Sequence, residues 1–142
     1  MNIDFTTAAT GEVRSIDLER VIVAHFKDDC FKGTCCDGST FSDHVSETDK
    51  QEIITSLVAA GFLHEETNAT FYNAAHAASI IIMDENAHGE VRLLVTYEDT
   101  GGSPLLPPDR PFYLTVGRDE LDYAREYLKS KRAPFTRDPI FA

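Results

Sequence analysis

The segment "SIIIMDENAHGEVRLLVTYE", residues 79–98, carries a clear signal for a pair of strands. Two segments rich in β-branched and aromatic residues, "SIIIMD" and "EVRLLVTYE", flank the short segment "ENAHG", which is typical of two strands joined by a tight turn. Asn86 and Gly89 tolerate the positive φ angles that such turns require. The stretch therefore predicts an antiparallel β-hairpin.

Towards the C-terminus, one more strand and one helix are predicted. "FYLTV" at 112–116 is a good strand segment, and it follows a connection rich in Gly and Pro at 100–111. "RDELDYAREYLKSKR" at 118–132 has acids early and bases late, which suits the dipole of a helix. Pro134 ends this helix, and the tail "FTRDPIFA" is either irregular or a short edge strand.

Towards the N-terminus, two helices are predicted. Ser46 is a helix cap with Asp49 three residues on, and Gly61 is a natural terminator. Residues 15–26, "SIDLERVIVAHF", place apolar side chains on one helical stripe, so a helix is favoured there over the strand that "VIV" suggests. That stripe comprises Leu18, Val21, Ile22, His25 and Phe26. Residues 2–6 predict a short strand.

These elements together predict an α+β fold. We expect a small antiparallel sheet of about three to four strands, covered by two to three helices. A chain of 142 residues has the usual size of one domain, so residues 1–142 are expected to form a single domain.

The charge of the chain is strongly negative and unevenly placed. The net charge is −11, and residues 33–109 hold 13 acids against two bases, Lys50 and Arg92. Because binding to nucleic-acid phosphates needs clustered Lys and Arg, no direct nucleic-acid binding is expected. A concentrated negative field suits docking to a protein with a basic surface.

No apolar run approaches the length of a membrane span, so no membrane partner is expected. The beginning of the chain has neither a basic start nor an apolar segment of the kind found in secretory signals. The expected location is therefore the cytoplasm, where thiols stay reduced.

All three cysteines lie close together in "KDDCFKGTCCDGST", residues 27–40, which we expect to be a loop. Soft thiolates suit zinc or iron, and such ions need about four ligands. Cys30, Cys35 and Cys36 supply three, and His25 or His44 would complete the set. The alternatives are ordinary reduced thiols with no cofactor, or a redox pair, which the neighbouring aspartates disfavour.

Two segments resemble known families. "CFKGTCCDGSTFSDHVSETDKQEI", residues 30–53, resembles the opening of CxxCxxCC-type zinc- or iron-chelating proteins, which implies metal binding by Cys30, Cys35 and Cys36. "FYLTVGRDELDYAREYLKSKRAPF", residues 112–135, resembles the strand–helix–turn unit of vicinal oxygen chelate domains, which implies a glyoxalase-like enzyme.

The function predicted first is binding to a partner protein, since no nucleotide-binding or nucleophile motif is present. Short acidic chains of this kind are typical of inhibitor, immunity or anti-defence proteins of bacteria and their phages, so a non-enzymatic role is favoured. Metal binding ranks second and the glyoxalase-like enzyme third. The acids expected to contact the partner surround the cysteines and the helix that follows: Asp28, Asp29, Asp37, Asp43, Glu47, Asp49 and Glu52.

Overall fold

The computed structural model describes residues 2–65, 69–107, 109–129 and 135–137. Strands dominate these residues. They are β1 (Asn2–Thr6), β2 (Val13–Asp17), β3 (Val21–Lys27), β4 (Cys30–Cys35), β5 (Thr40–His44), β6 (Phe62–Glu65), β7 (Thr70–Asn73), β8 (Ser79–Glu85), β9 (Glu90–Thr96), β10 (Phe112–Gly117) and β11 (Phe135–Arg137). The two α-helices of the described residues are α1 (Glu47–Ala59) and α2 (Arg118–Tyr127).

The strands form three sheets. β1 and β2 make an antiparallel pair, and a five-stranded antiparallel sheet has the order β5-β4-β3-β7-β6. The third sheet has the order β10-β9-β8-β11, and its β11 runs parallel to β8. The five-stranded sheet is central, because both hydrophobic clusters of the protein draw residues from it.

One face of the five-stranded sheet packs against α1 and the β1–β2 pair. Phenylalanines from β3, β4 and β5 meet on this face, with ring centroids 5.0 Å apart for Phe26 and Phe31 and 5.0 Å for Phe31 and Phe41. Ile53 and Leu57 of α1 are buried in the same cluster. Burying one side chain of this size contributes about 1.5–3 kcal/mol, so this cluster fixes the helix to the sheet.

The opposite face of the same sheet is covered at β7 and β6 by the four-stranded sheet and α2. The fully buried Tyr97 hydroxyl donates a 2.7 Å hydrogen bond to the carbonyl oxygen of Asn73 in β7. Burial raises the pKa of Tyr97. Carboxylates also connect β6 to its neighbours. Glu120 of α2 accepts a hydrogen bond from the His64 amide, and Glu65 accepts one from the Thr115 amide of β10 at 3.2 Å.

Several sequence-based predictions are confirmed. The strand at 2–6, the hairpin at 79–98 and the strand at 112–116 are present as β1, β8–β9 and β10. The hairpin turn uses Gly89 at φ 76°, whereas Asn86 has no positive φ. Ser46 caps α1 as expected. α2 forms where predicted, but the end of the predicted helix, with Pro134, falls outside the described residues.

The helix predicted at 15–26 is wrong. This segment contains the end of β2, one 3-10 turn at Leu18–Arg20, and β3. Residues Val21 to Ala24 are all buried because this first half of the central strand β3 is covered on both faces, so it lacks the alternation that identifies a strand. The prediction that the cysteine segment, residues 27–40, is a loop is also partly wrong, since residues 30–35 form β4.

The predicted fold class is therefore wrong as well. The protein is mostly sheet, with three sheets and two α-helices among the described residues, and not a small sheet covered by helices. The physical reason is long-range strand pairing, which turned the N-terminal and cysteine segments into the central strands of the largest sheet. No helix within the described ranges is both long enough and apolar enough to cross a membrane.

Candidate functional site

The β3–β4 turn presents two aspartates at one end of the five-stranded sheet. Asp28 and Asp29 are exposed and connect the two strands with φ angles of 50° and 63°. The Val45 amide donates a 2.9 Å hydrogen bond to the Asp29 carbonyl oxygen, which joins this turn to the segment leading into α1. The turn and the beginning of α1 therefore share one surface.

The first turns of α1 add three acids to this surface. The Ser46 hydroxyl accepts from the Asp49 amide at 3.2 Å, which orients the helix start, and Glu47 lies beside it. Asp49 and Glu52 line a groove of about 270 Å³ whose other wall is β1, including Asp4. We call the set Asp28, Asp29, Glu47, Asp49 and Glu52 the acidic end.

Two of the acids predicted to contact a partner do not belong to the acidic end. Asp37 lies in the β4–β5 turn at the opposite end of β4 and forms an ion pair with Arg20. Hydrogen bonds from the Ser39 hydroxyl and amide, and then the Arg20 charge, lower the pKa of Asp37. Asp43 lies on β5 and pairs with Arg14 at 3.2 Å.

The cysteines are separated along β4. Cys30 and His44 face each other across β4 and β5, with 3.4 Å between Sγ and Nδ1. Cys35 is five residues further along the strand, or about 16 Å away at ~3.3 Å per residue, and the exposed Cys36 follows it. The structure therefore brings together Cys30 and His44 but not all three thiols, and no group of three or more metal-ligating side chains occurs in the described part of the chain.

His25 lies on the same sheet face, one row from Cys30 and His44. It pairs in register with Lys32 of β4, which in turn pairs with Ser42 of β5. Its Nδ1 is buried and has no hydrogen-bond partner among the described residues. Burial lowers the pKa of His25, and the charges of Lys32 and Lys27 lower it further.

Strand register assembles these side chains into an uncovered surface that the sequence analysis missed. Lys27, Cys30 and His44 form one row, and His25, Lys32 and Ser42 form the next. We call these six residues the open sheet face. Next to its second row, residues of β3, β4 and β5 and the loop after β9 line a pocket of about 300 Å³, with walls from Val23, Thr34, Thr40, Ser103, Pro104 and Leu105. The alternation of polar and apolar residues in "AHFK" and "CFKGT" was the available signal.

Comparisons with known proteins show no family for this chain. No family model and no curated protein matches it. A solved LytTr DNA-binding domain from Bacillus cereus is similar, with 16% sequence identity, coverage of 88% of this chain and 95% of that domain, and a TM-score of 0.45. A likeness at this level carries no argument about what this chain does.

The expectation of no direct nucleic-acid binding does not stand, because the similar structure is named as a DNA-binding domain. Nothing about what this chain itself binds follows from that likeness. That expectation was derived from the charge of whole segments. Such totals do not describe how charges are distributed over a folded surface, where the open sheet face carries Lys27 and Lys32 without a carboxylate. The two family resemblances, at 30–53 and 112–135, stay predictions.

Proposed function

We propose that this chain is a non-catalytic, inhibitor-type binding protein whose acidic end docks on a basic surface of a partner protein. The observation that carries the proposal is that acidic residues from two different elements lie together. Five of the seven acids selected from the sequence lie on one surface, although they come from a hairpin turn and a helix start. The proposal includes the cytoplasm as location, which suits three free cysteines.

The groove beside the acidic end supports the proposal. β1 pairs with β2 on one side only, and in the described residues no strand pairs with its other edge. β1 also forms one wall of the groove whose far wall carries Asp49 and Glu52. An extended basic segment of a partner fits such a groove, because a strand edge offers backbone hydrogen bonds while the carboxylates offer charge.

The conformation of the β3–β4 turn also supports it. Asp28 and Asp29 both have left-handed backbone angles. Asn-Gly is the preferred sequence for a two-residue hairpin turn, and a non-glycine residue in that region is strained by about 1 kcal/mol. Two aspartates at such positions are consistent with a need for charge at the turn rather than for stability.

The test is affinity capture from the native source with matched baits. Asp28→Asn combined with Asp29→Gly removes two charges and relaxes the turn. Asp99→Asn combined with Asp109→Gly makes the same chemical changes in the loop after β9, where Asp109 also has a positive φ of 55°. We expect the first variant to lose a partner that the wild type and the second variant both retain.

Salt dependence is the second readout. Raising the salt concentration from about 50 to about 300 mM should weaken the complex of the wild type steeply, because exposed charges are screened beyond the Debye length. Equal capture by both variants, or a complex that salt does not weaken, would contradict the proposal.

Metal binding is the second candidate, favoured by the contact between Cys30 and His44. Zinc takes four ligands at a structural site, so this pair would need the other half from a partner or a second copy. Titration with Co²⁺, whose absorption reports thiolate ligation, tests the idea. We expect a thiolate band that Cys30→Ser abolishes and Cys36→Ser leaves intact, whereas the absence of any band would exclude it.

A further inference from the structure

Lys27 and Lys32 are among the described bases of this acidic chain that form no ion pair. Several other bases form ion pairs with carboxylates, including Arg14, Arg20, Arg92 and Arg118. Lys27 and Lys32 form none within the described residues, although the chain holds 24 acids. Their charges remain available on one face of the sheet.

The register explains why they share that face. Lys27 and His25 are two residues apart on β3, and Lys32 is the partner of His25 on β4. Side chains alternate along a strand, so all three project on the same side. On β3, β4 and β5 these rows contain thiol, imidazole, ammonium and hydroxyl groups but no carboxylate. The row of His25 continues through Thr70 of β7 to Glu65 of β6, which accepts a hydrogen bond from the Thr115 amide.

The pocket next to Lys32 combines this positive charge with apolar walls. Val23, Pro104 and Leu105 line it, and Leu105 is 36% exposed. Hydroxyl groups of Thr34, Thr40 and Ser42 are present at the same pocket. A pocket of about 300 Å³ lies at the lower end of the range for small-molecule sites, which are mostly apolar with a few polar groups that orient the ligand.

From this arrangement we infer that the pocket beside Lys32 and His25 binds a small organic anion. A carboxylate or phosphate group contacts the Lys32 ammonium and the His25 imidazole. The apolar body of the same ligand lies against Pro104 and Leu105. The site is independent of the acidic end, since it lies on the open sheet face and uses the opposite charge.

The buried nitrogen of His25 supports an anionic group in particular. Nδ1 has no hydrogen-bond partner among the described residues, and a buried polar atom without a partner is destabilising. An imidazole N–H donates to an anionic oxygen, and a bond with one charged partner is stronger than a neutral one. Nδ1 is closed to solvent, so the anion reaches it only when the imidazole ring turns towards the pocket, and it then satisfies a group that the fold leaves unpaired.

Benzoate and benzamide are suitable probes, because they share shape and differ in charge. In a titration followed by backbone amide resonances, we expect benzoate to shift residues 23–25, 32–34 and 40–42, and benzamide to shift them much less. Lys32→Met keeps most of the apolar stem and should weaken benzoate binding about tenfold. The matched control is Lys129→Met, which changes an exposed lysine just after α2. It should leave the affinity for benzoate unchanged.

Three results would overturn the inference. The first is the absence of benzoate binding, and the second is equal binding of benzoate and benzamide. The third is a Lys32→Met variant that unfolds at the same temperature as the wild type and binds benzoate equally well. A titration with inorganic phosphate is a further test. If it binds as tightly as benzoate, the apolar walls contribute nothing and the organic character of the ligand is disproved.

Discussion

The two faces of the β3–β4–β5 part of the sheet differ completely, although they are built from neighbouring residues. Phe26, Phe31 and Phe41 lie on one face beneath α1, while Lys27, Lys32 and Ser42 lie on the other, uncovered. One face supplies stability and the other is free to bind. In this protein, a shift of one position along a strand therefore exchanges a structural role for a binding role.

The sharpest test of this contrast uses two adjacent residues. Phe31→Ala should lower the free energy of unfolding by about 3–5 kcal/mol, because it removes a fully buried ring that contacts three other rings. Lys32→Ala should change it by less than about 0.5 kcal/mol. Urea denaturation of both variants measures the difference, and similar losses would show that the open sheet face is structural after all.

The sequence predicted the elements with local signals and missed those that depend on distant partners. Ser46 and Gly61 mark α1, and Gly89 marks the β8–β9 turn, because capping and positive φ depend on a few adjacent residues. Residues 15–26 gave a false helical stripe, since the buried segment Val21–Ala24 shows no strand alternation.

The sites follow the same rule. The acidic end was partly predictable, because Asp28, Asp29, Glu47 and Asp49 lie close together in sequence. The open sheet face was not, since the approach of His25, Lys32 and Ser42 depends on the register of three strands. The same register separates Cys30 from Cys35, which adjacency in the sequence had grouped together.

The buried hydroxyl of Tyr97 gives the next largest expected effect on stability. Tyr97 is completely buried, and its hydroxyl donates to Asn73. Its pKa is raised in the folded state, so its contribution to stability is intact below the unfolded pKa of about 10 and is lost as the pH rises above that value. Tyr97→Phe should cost about 1 kcal/mol at neutral pH and reduce the loss at alkaline pH. Urea denaturation from pH 7 to pH 11 follows both effects, and an unchanged alkaline slope would show that other groups cause it.

The acidic end should respond in the opposite direction. Asp28→Asn combined with Asp29→Gly should raise the free energy of unfolding by about 0.5–1 kcal/mol, because it relieves left-handed strain and charge repulsion at the turn. Thermal unfolding measures this gain. A variant that is more stable but binds its partner less well separates the binding role of the turn from its folding role, whereas a destabilised variant would show that the aspartates support the hairpin.

The smallest effect concerns the charges on the open sheet face. Burial and the neighbouring Lys32 and Lys27 lower the pKa of His25. A depressed histidine pKa contributes stability above the unfolded value of about 6.5, and that contribution is lost as the pH falls towards the folded value. Lys32→Met should therefore raise the pKa of His25, while Lys129→Met should not. Proton NMR titration of the imidazole resonances resolves this change, and because benzoate supplies a negative charge at the same place, it should raise the same pKa in the wild type. An imidazole that titrates identically in the wild type, in Lys32→Met and in the wild type with benzoate would mean that Lys32 does not face His25, and the open sheet face would then not be a single electrostatic unit.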